Sequence, residues 1–288
     1  MRPLRNSAAA VGDHTATAAD PDPDPDRTLP DPSSLAVSDL QVRAGVGEET
    51  RLLASLPHLN VPAGTCAAIV GESGSGKSTT LHAMLGLTDG LSVSGRIMVG
   101  DTDVVTAPEK ALSKLRGSRV ALVSQSPQSS LNPTMRLGVL LKRVLARHGI
   151  RGAEARQRTG DALRDVMLDP ELLHRYPHQI SGGQAQRFAI AMAVALRADI
   201  ILADEPTSAL DVTVQAAVLD LLDRLRAEHG IALVLVSHDL AVVSRIADHI
   251  VVMRHGHVVE SGPAADVLGA PSADYTRELL AAVPTLGE

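Results

Sequence analysis

Eight residues in this chain carry the spacing G-x-x-x-x-G-K-[ST]: Gly71, Glu72, Ser73, Gly74, Ser75, Gly76, Lys77 and Ser78. The run 66–70 before them is apolar and reads as a buried strand, and the stretch 79–85 after them reads as a helix that Thr79 opens. Glycines at 71, 74 and 76 remove side chains where the backbone must curl with its N–H groups inward, so that phosphate oxygens are cradled at the positive end of the helix. Lys77 is then placed to reach the outer phosphates as a point charge. The hydroxyl of Ser78 is an oxygen ligand of the kind Mg²⁺ shares with phosphates.

A second element adds acids to this anion site. The apolar run 200–203 fits a central parallel strand and ends in Asp204 and Glu205, two carboxylates that a buried strand does not carry without a use. Asp204 suits the Mg²⁺ shell, and Glu205 is placed to polarise a water aimed at a terminal phosphate. A further apolar run, 231–236, leads to His238, and strand ends are where open α/β sheets contact ligands.

Four more segments follow in fixed order: Gln125 within VSQSPQSSLNP, Ser181-Gly182-Gly183-Gln184, Ser208-Ala209-Leu210-Asp211, and His238 within VSHDL. On these the chain, from about residue 35 to 284, resembles the ATP-binding subunits of ATP-binding cassette (ABC) transporters. The resemblance implies an α/β fold of the P-loop NTPase type, with a mixed α/β core lobe, an antiparallel β subdomain and a helical lobe over about residues 107–186. It implies ATP and Mg²⁺ as cofactors, Glu205, His238 and Gln125 as the catalytic groups, and Ser78, Gln125 and Asp204 around the metal. It also implies that Ser181, Gly182, Gly183 and Gln184 face the terminal phosphate held by another subunit. One chain then cannot complete a site, and a second ABC ATPase, a copy or a relative, is an expected partner, with Asp211 along the seam. The signature itself sits where a helix would begin, its glycines baring N–H groups beside a serine.

PHQISGG, SLNP, Glu260-Ser261-Gly262-Pro263, Tyr275-Thr276-Arg277 and Ala282-Val283-Pro284 are similar to the oligopeptide, dipeptide and nickel importer branch. The chain ends four residues after Pro284, short of the longer extension of many peptide-importing members, which keeps a nickel-type member open. The branch implies transmembrane permease partners, an extracellular solute-binding protein acting through them, and a place at the cytoplasmic face of the membrane. Two other readings stay open: the ATPase of an exporter, and a soluble ABC ATPase acting on ribosomes or DNA. In one respect the chain departs from the family, which stacks the adenine on an aromatic residue before the phosphate loop. Here the aromatics are Tyr176, Phe188 and Tyr275, all downstream, and the matching stretch reads Leu40-Gln41-Val42-Arg43-Ala44-Gly45. An Arg43 guanidinium stacked on the base is one replacement.

Composition sets the bounds. A chain of 288 residues with 44% apolar content holds a large core or two lobes. No apolar run approaches the ~18 residues of a membrane span, so permeation is assigned to other subunits. The N-terminus has no apolar signal segment, which predicts a cytoplasmic protein. A net charge of -6 gives no basic field for nucleic acid. The single cysteine, Cys66, excludes an internal disulfide and reads as a buried thiol. Residues 1–34, with Pro21-Asp22-Pro23-Asp24-Pro25-Asp26, read as a disordered arm, and 285–288 as a tail. Helices are expected over 137–148 and 153–167, and a hairpin turn at His255-Gly256-His257, where two histidines alone are too few ligands for a metal.

Overall fold

The computed structural model describes residues 34–45 and 50–282. Its strands are β1 (Leu35–Ala44), β2 (Arg51–Val61), β3 (Cys66–Val70), β4 (Leu91–Val99), β5 (Thr102–Asp103), β6 (Val120–Val123), β7 (Ile200–Asp204), β8 (Ala232–Ser237), β9 (His249–Arg254) and β10 (His257–Pro263). They form one sheet in the order β5-β4-β1-β2-β10-β9-β3-β8-β7-β6. The helices are α1 (Lys77–Met84), α2 (Glu109–Ser118), α3 (Pro127–Ser130), α4 (Leu137–Arg147), α5 (Gly152–Asp165), α6 (Gly182–Leu196), α7 (Val212–His229), α8 (Leu240–Val243), α9 (Ala264–Gly269) and α10 (Asp274–Ala281).

The half of the sheet formed by β9, β3, β8, β7 and β6 is parallel throughout. Parallel strands joined by helices are covered on both faces, which is why these runs are apolar without alternation. Residues of β3 divide between two cores: Cys66, Ala68 and Val70 face one, Ala67 and Ile69 the other. Likewise Leu233 and Leu235 of β8 separate from Val234 and Val236. Strand β1 pairs antiparallel with β2 and β4 and buries Leu35 and Val37, then, after a register shift between Ser38 and Gln41, Leu40 and Val42. Their buried faces are continuous with the second core, so the antiparallel part is fastened to the parallel part by a shared apolar layer.

The helical lobe rests on α4, α5 and α6. Leu137, Leu141 and Leu145 recur every four residues on α4 and are at most 1% exposed, so one stripe of that helix is fully covered. Phe188 of α6 is wholly buried in the same core, which runs on into β3, β7 and β8. Helix α6 therefore belongs to both lobes at once, and its sequence is apolar on nearly every face. The span expected for the helical lobe, 107–186, also contains β6, which pairs with β7 in the core sheet. Four apolar residues are too short a run to declare a period, so this strand is hidden in the sequence. Strands β9 and β10 run to Arg254 and Pro263. The expected hairpin turn forms, with His255 and Gly256 both at positive φ, 50° and 82°. Of the N-terminal arm only Ser34 is described, and it is buried; residues 1–33 and the 285–288 tail lie outside the described residues.

Cys66 lies at the start of β3, 1% exposed, with its N–H donated to Asp248 Oδ2 at 2.8 Å. Burial pushes its thiol up to about 12, against the opposing charge of Arg226. Since the thiolate is the reactive species, Cys66 is expected to stay unlabelled by iodoacetamide at pH 8 in the native protein and to react only as denaturant unfolds it. Rapid stoichiometric labelling of the native protein, measured by mass, would contradict this packing of β3.

Candidate active site

The four adjacent strands β3, β8, β7 and β6 point their carboxyl ends the same way, and each releases a candidate residue there. From β3 the chain enters the loop 71–76, from β8 it reaches His238, from β7 Asp204 and Glu205, and from β6 Gln125. The loop, Glu205, His238 and Gln125 border a cleft of about 720 Å³, with Asp204 just behind its wall, bonded to Ser78.

Backbone shape comes first. Gly71, Gly74 and Gly76 take φ of 149°, 78° and 102°. A Cβ at Gly71 would stand 2.1 Å from the carbonyl oxygen of Met253, and one at Gly76 2.6 Å from that of Leu53. Glycine is thus demanded twice over, by conformation and by contact with β9 and β2. The turn after β9 adds a brace, Gly256 N–H donating to the Ser75 carbonyl at 3.0 Å.

Lys77, 5% exposed, donates from Nζ to the carbonyls of Gly71 (2.7 Å) and Glu72 (2.8 Å). Burial draws its pKa below the usual lysine value, while the carboxylates of Glu205, Asp204 and Glu72 act in the opposite sense. An anion in the loop would relieve that cost, so the cradle suits phosphate. Ser78 Oγ donates to Asp204 Oδ1 at 3.0 Å. Those two oxygens, with the Gln125 amide, are hard donors of the type Mg²⁺ selects, and so few protein ligands fit an ion that keeps water and phosphate in its shell. Gly71, Glu72, Ser73, Gly74, Gly76, Ser78 and Thr79 line the cleft with Lys77, whereas the side chain of Ser75 is buried and Ser75 does not line it.

Gln125, Glu205 and His238 meet at one atom. His238 Nδ1 lies 3.1 Å from Glu205 Oε2, and Gln125 Nε2 lies 3.2 Å from the same oxygen. Gln125 also donates to Ser208 Oγ at 3.1 Å. Glu205 has φ 44°, a left-handed conformation that costs a non-glycine residue ~1–3 kcal/mol and is kept where the surroundings enforce it. Here the enforcement is its N–H, donated across to the Val236 carbonyl of β8 at 2.9 Å.

Ser181, Gly182, Gly183 and Gln184 lie elsewhere, and none lines the cleft. They form the start of α6, where Ser181 Oγ accepts from Gln184 N–H (3.2 Å) and Gln184 Oε1 from Ser181 N–H (3.0 Å), a reciprocal cap. A Cβ at Gly183 would meet Val214 Cγ1 at 2.5 Å. Val214 in turn donates its N–H to Asp211 Oδ1 at 3.0 Å. The start of α6 and the start of α7 are therefore one packed unit, which places Asp211 beside the signature.

Arg43 of β1 donates to Gln41 Oε1 at 3.1 Å and is not among the residues lining the cleft. Leu53 of β2 lines the cleft instead, and at the other side so does Leu279 of α10. Neither was identified from the sequence, nor was Tyr275, whose hydroxyl accepts the Glu72 N–H at 3.1 Å. A buried aromatic in a chain with three was a signal available there; a lone leucine offers none.

The pattern of the ABC transporter family matches residues 56–208. The oligopeptide transport ATP-binding protein OppD of Salmonella typhimurium is 41% identical over 267 residues, covering 89% of this chain and 78% of that protein. The dipeptide transport ATP-binding protein DppD of Haemophilus influenzae is 42% identical over 79% of this chain and 71% of its own. The peptidoglycan transport ATP-binding protein YejF of Agrobacterium fabrum is 43% identical over 87% of this chain, which spans 47% of that longer protein. Among solved structures, a dimeric ATP-binding cassette with ADP and phosphate superposes with a TM-score of 0.69 at 30% identity, covering 80% of this chain and 98% of that one. The loop, the acids after β7 and the α6 cap thus occur in a chain that belongs to the ABC transporter family, among its ATP-binding cassettes.

Proposed function

We propose that this chain is an ATP-hydrolysing subunit that works in pairs to energise the uptake of peptides, or of a related small solute, through membrane permeases at the cytoplasmic face. The observation that carries the ATPase reading is the convergence of Gln125 and His238 on Glu205 Oε2 at the rim of the loop's cleft. Glu205 accepts the proton of the water that attacks the terminal phosphoryl group, and the Gln125 amide and His238 ring fix the carboxylate and the water's approach. Ser78, Asp204 and Gln125 would hold Mg²⁺, which when bound neutralises charge on the phosphates. Lys77 supplies the fixed positive charge on the protein's side.

The pairing rests on the separation of the loop from the 181–184 cap: none of these four residues lines the chain's own cleft, so a second cassette brings its copy to it. Peptide uptake rests on the relatives, whose names are those of oligopeptide and dipeptide transport proteins. Among the described residues no helix is long and apolar enough to cross a membrane, which leaves the passage itself to other subunits. An extracellular binding protein would deliver the solute to them.

Glu205→Gln is expected to lower kcat ~10²-fold or more, the usual scale of a lost general base, while ATP binding persists. The same variant with ATP should sediment at twice the monomer mass; wild-type turnover would remove Glu205 from its role. Lys77→Ala gives up charge-assisted bonds to phosphate, each worth ~1.5–3 kcal/mol, and should weaken ATP binding ~10- to 100-fold by calorimetry. For the solute, the wild-type chain expressed with its permeases in a host lacking peptide uptake should restore entry of labelled di- and oligopeptides, and Lys77→Ala should abolish it. No entry with the wild-type chain would overturn the peptide reading.

A further inference from the structure

The peptide unit between Gly71 and Glu72 is gripped from both edges. Its carbonyl, on Gly71, accepts from Lys77 Nζ at 2.7 Å, and its N–H, on Glu72, donates to Tyr275 Oη at 3.1 Å. A trans peptide is planar, with its C=O and N–H pointing opposite ways, so holding one edge sets the direction of the other. Tyr275 comes from α10, some two hundred residues along the chain from the loop.

The helix that carries Tyr275 is itself moored. Glu260 of β10 takes the N–H groups of Ser272 (2.7 Å) and Ala273 (3.1 Å) and the Ser272 hydroxyl (2.9 Å), all just before α10 begins. Burial works against that carboxylate's charge, but these hydrogen bonds, with Thr276 close by, outweigh it and bring Glu260 to about 2. The Arg254 guanidinium lies over the Tyr275 ring, 4.5 Å from its centroid, and Tyr275 is only 5% exposed. Arg254 directly follows Met253, whose carbonyl approaches Gly71. Four residues after Tyr275, on the same helix face, Leu279 reaches the cleft.

From this we infer that Tyr275 is a positioning residue for the nucleotide: its hydroxyl fixes the Gly71–Glu72 peptide, and through that peptide's carbonyl it fixes the ammonium of Lys77. The inference rests on the reading that the loop binds ATP. Its chemistry is a single neutral hydrogen bond, placed where the loop's first turn has no other side-chain brace on that peptide's N–H. Phenylalanine preserves the ring, its packing and its contact with Arg254, and removes only the acceptor.

Tyr275→Phe is expected to raise the Kd for ATP ~3- to 10-fold, the scale of one net hydrogen bond, with kcat at saturating ATP within twofold and an unchanged Tm. Glu260→Gln, which loosens the mooring without touching the ring, should shift Kd in the same direction by less. A wild-type Kd in Tyr275→Phe overturns the inference, as does a loss of affinity matched by a fall in Tm, which would make the hydroxyl merely structural. Lys77→Ala, measured alongside with ATP as the probe, separates the two levels. If it loses affinity while Tyr275→Phe does not, only this inference falls; if neither does, the loop assignment falls with it.

Discussion

Everything in the cleft depends on how closely a loop with glycine at 71 and 76 is pressed between two carbonyl oxygens. Met253 O and Leu53 O approach Gly71 and Gly76 to distances at which no Cβ fits. One of these oxygens ends a parallel strand and the other begins an antiparallel one, so the phosphate loop is set by both halves of the sheet. The shape that turns N–H groups inward is not stable by itself, since glycine pays the largest conformational entropy on ordering. Its stability is drawn from the two apolar layers that hold β9 and β2 against it.

That arrangement explains why charge can be concentrated at the sheet's carboxyl edge. Lys77 is buried at a cost, and Glu205 is strained, yet Lys77 opens a helix set on the sheet and Glu205 directly follows β7, whose residues 200–203 are almost fully covered. A rigid parallel sheet supplies positions; the loops between strands supply chemistry. Gln125 and His238, released by β6 and β8 on either side of β7, then meet the same Glu205 oxygen. The cap at Ser181, by contrast, is built on α6, which passes through the helical lobe before entering the core.

Much of this was legible in the sequence because it is written in glycine spacing and in apolar runs ended by acids. The strands 66–70 and 200–204 and the helices after 77 and 137 follow directly from those signals. β6 was hidden because four residues cannot show a period, and its status as a core strand is decided by β7 beside it. The missing aromatic before the loop was visible, but the apolar part of the cleft wall was not: Leu53 and Leu279 line it, residues with no chemical mark. Tyr275 was read only as a branch marker, since its contact with Glu72 spans two hundred residues and depends on where α10 is moored. Local pattern reveals the groups that react; the groups that hold them are revealed by tertiary contact.

The central claim is that one chain holds only half of a hydrolytic site, with the cleft on one side and the 181–184 cap on the other. Steady-state ATP hydrolysis by the purified subunit, measured across a dilution series alongside its sedimentation, addresses this most directly. The account predicts that below the dimer's dissociation constant the rate falls as the square of protein concentration and vanishes in the monomer. A rate strictly proportional to concentration, from protein that sediments as a monomer, would contradict it.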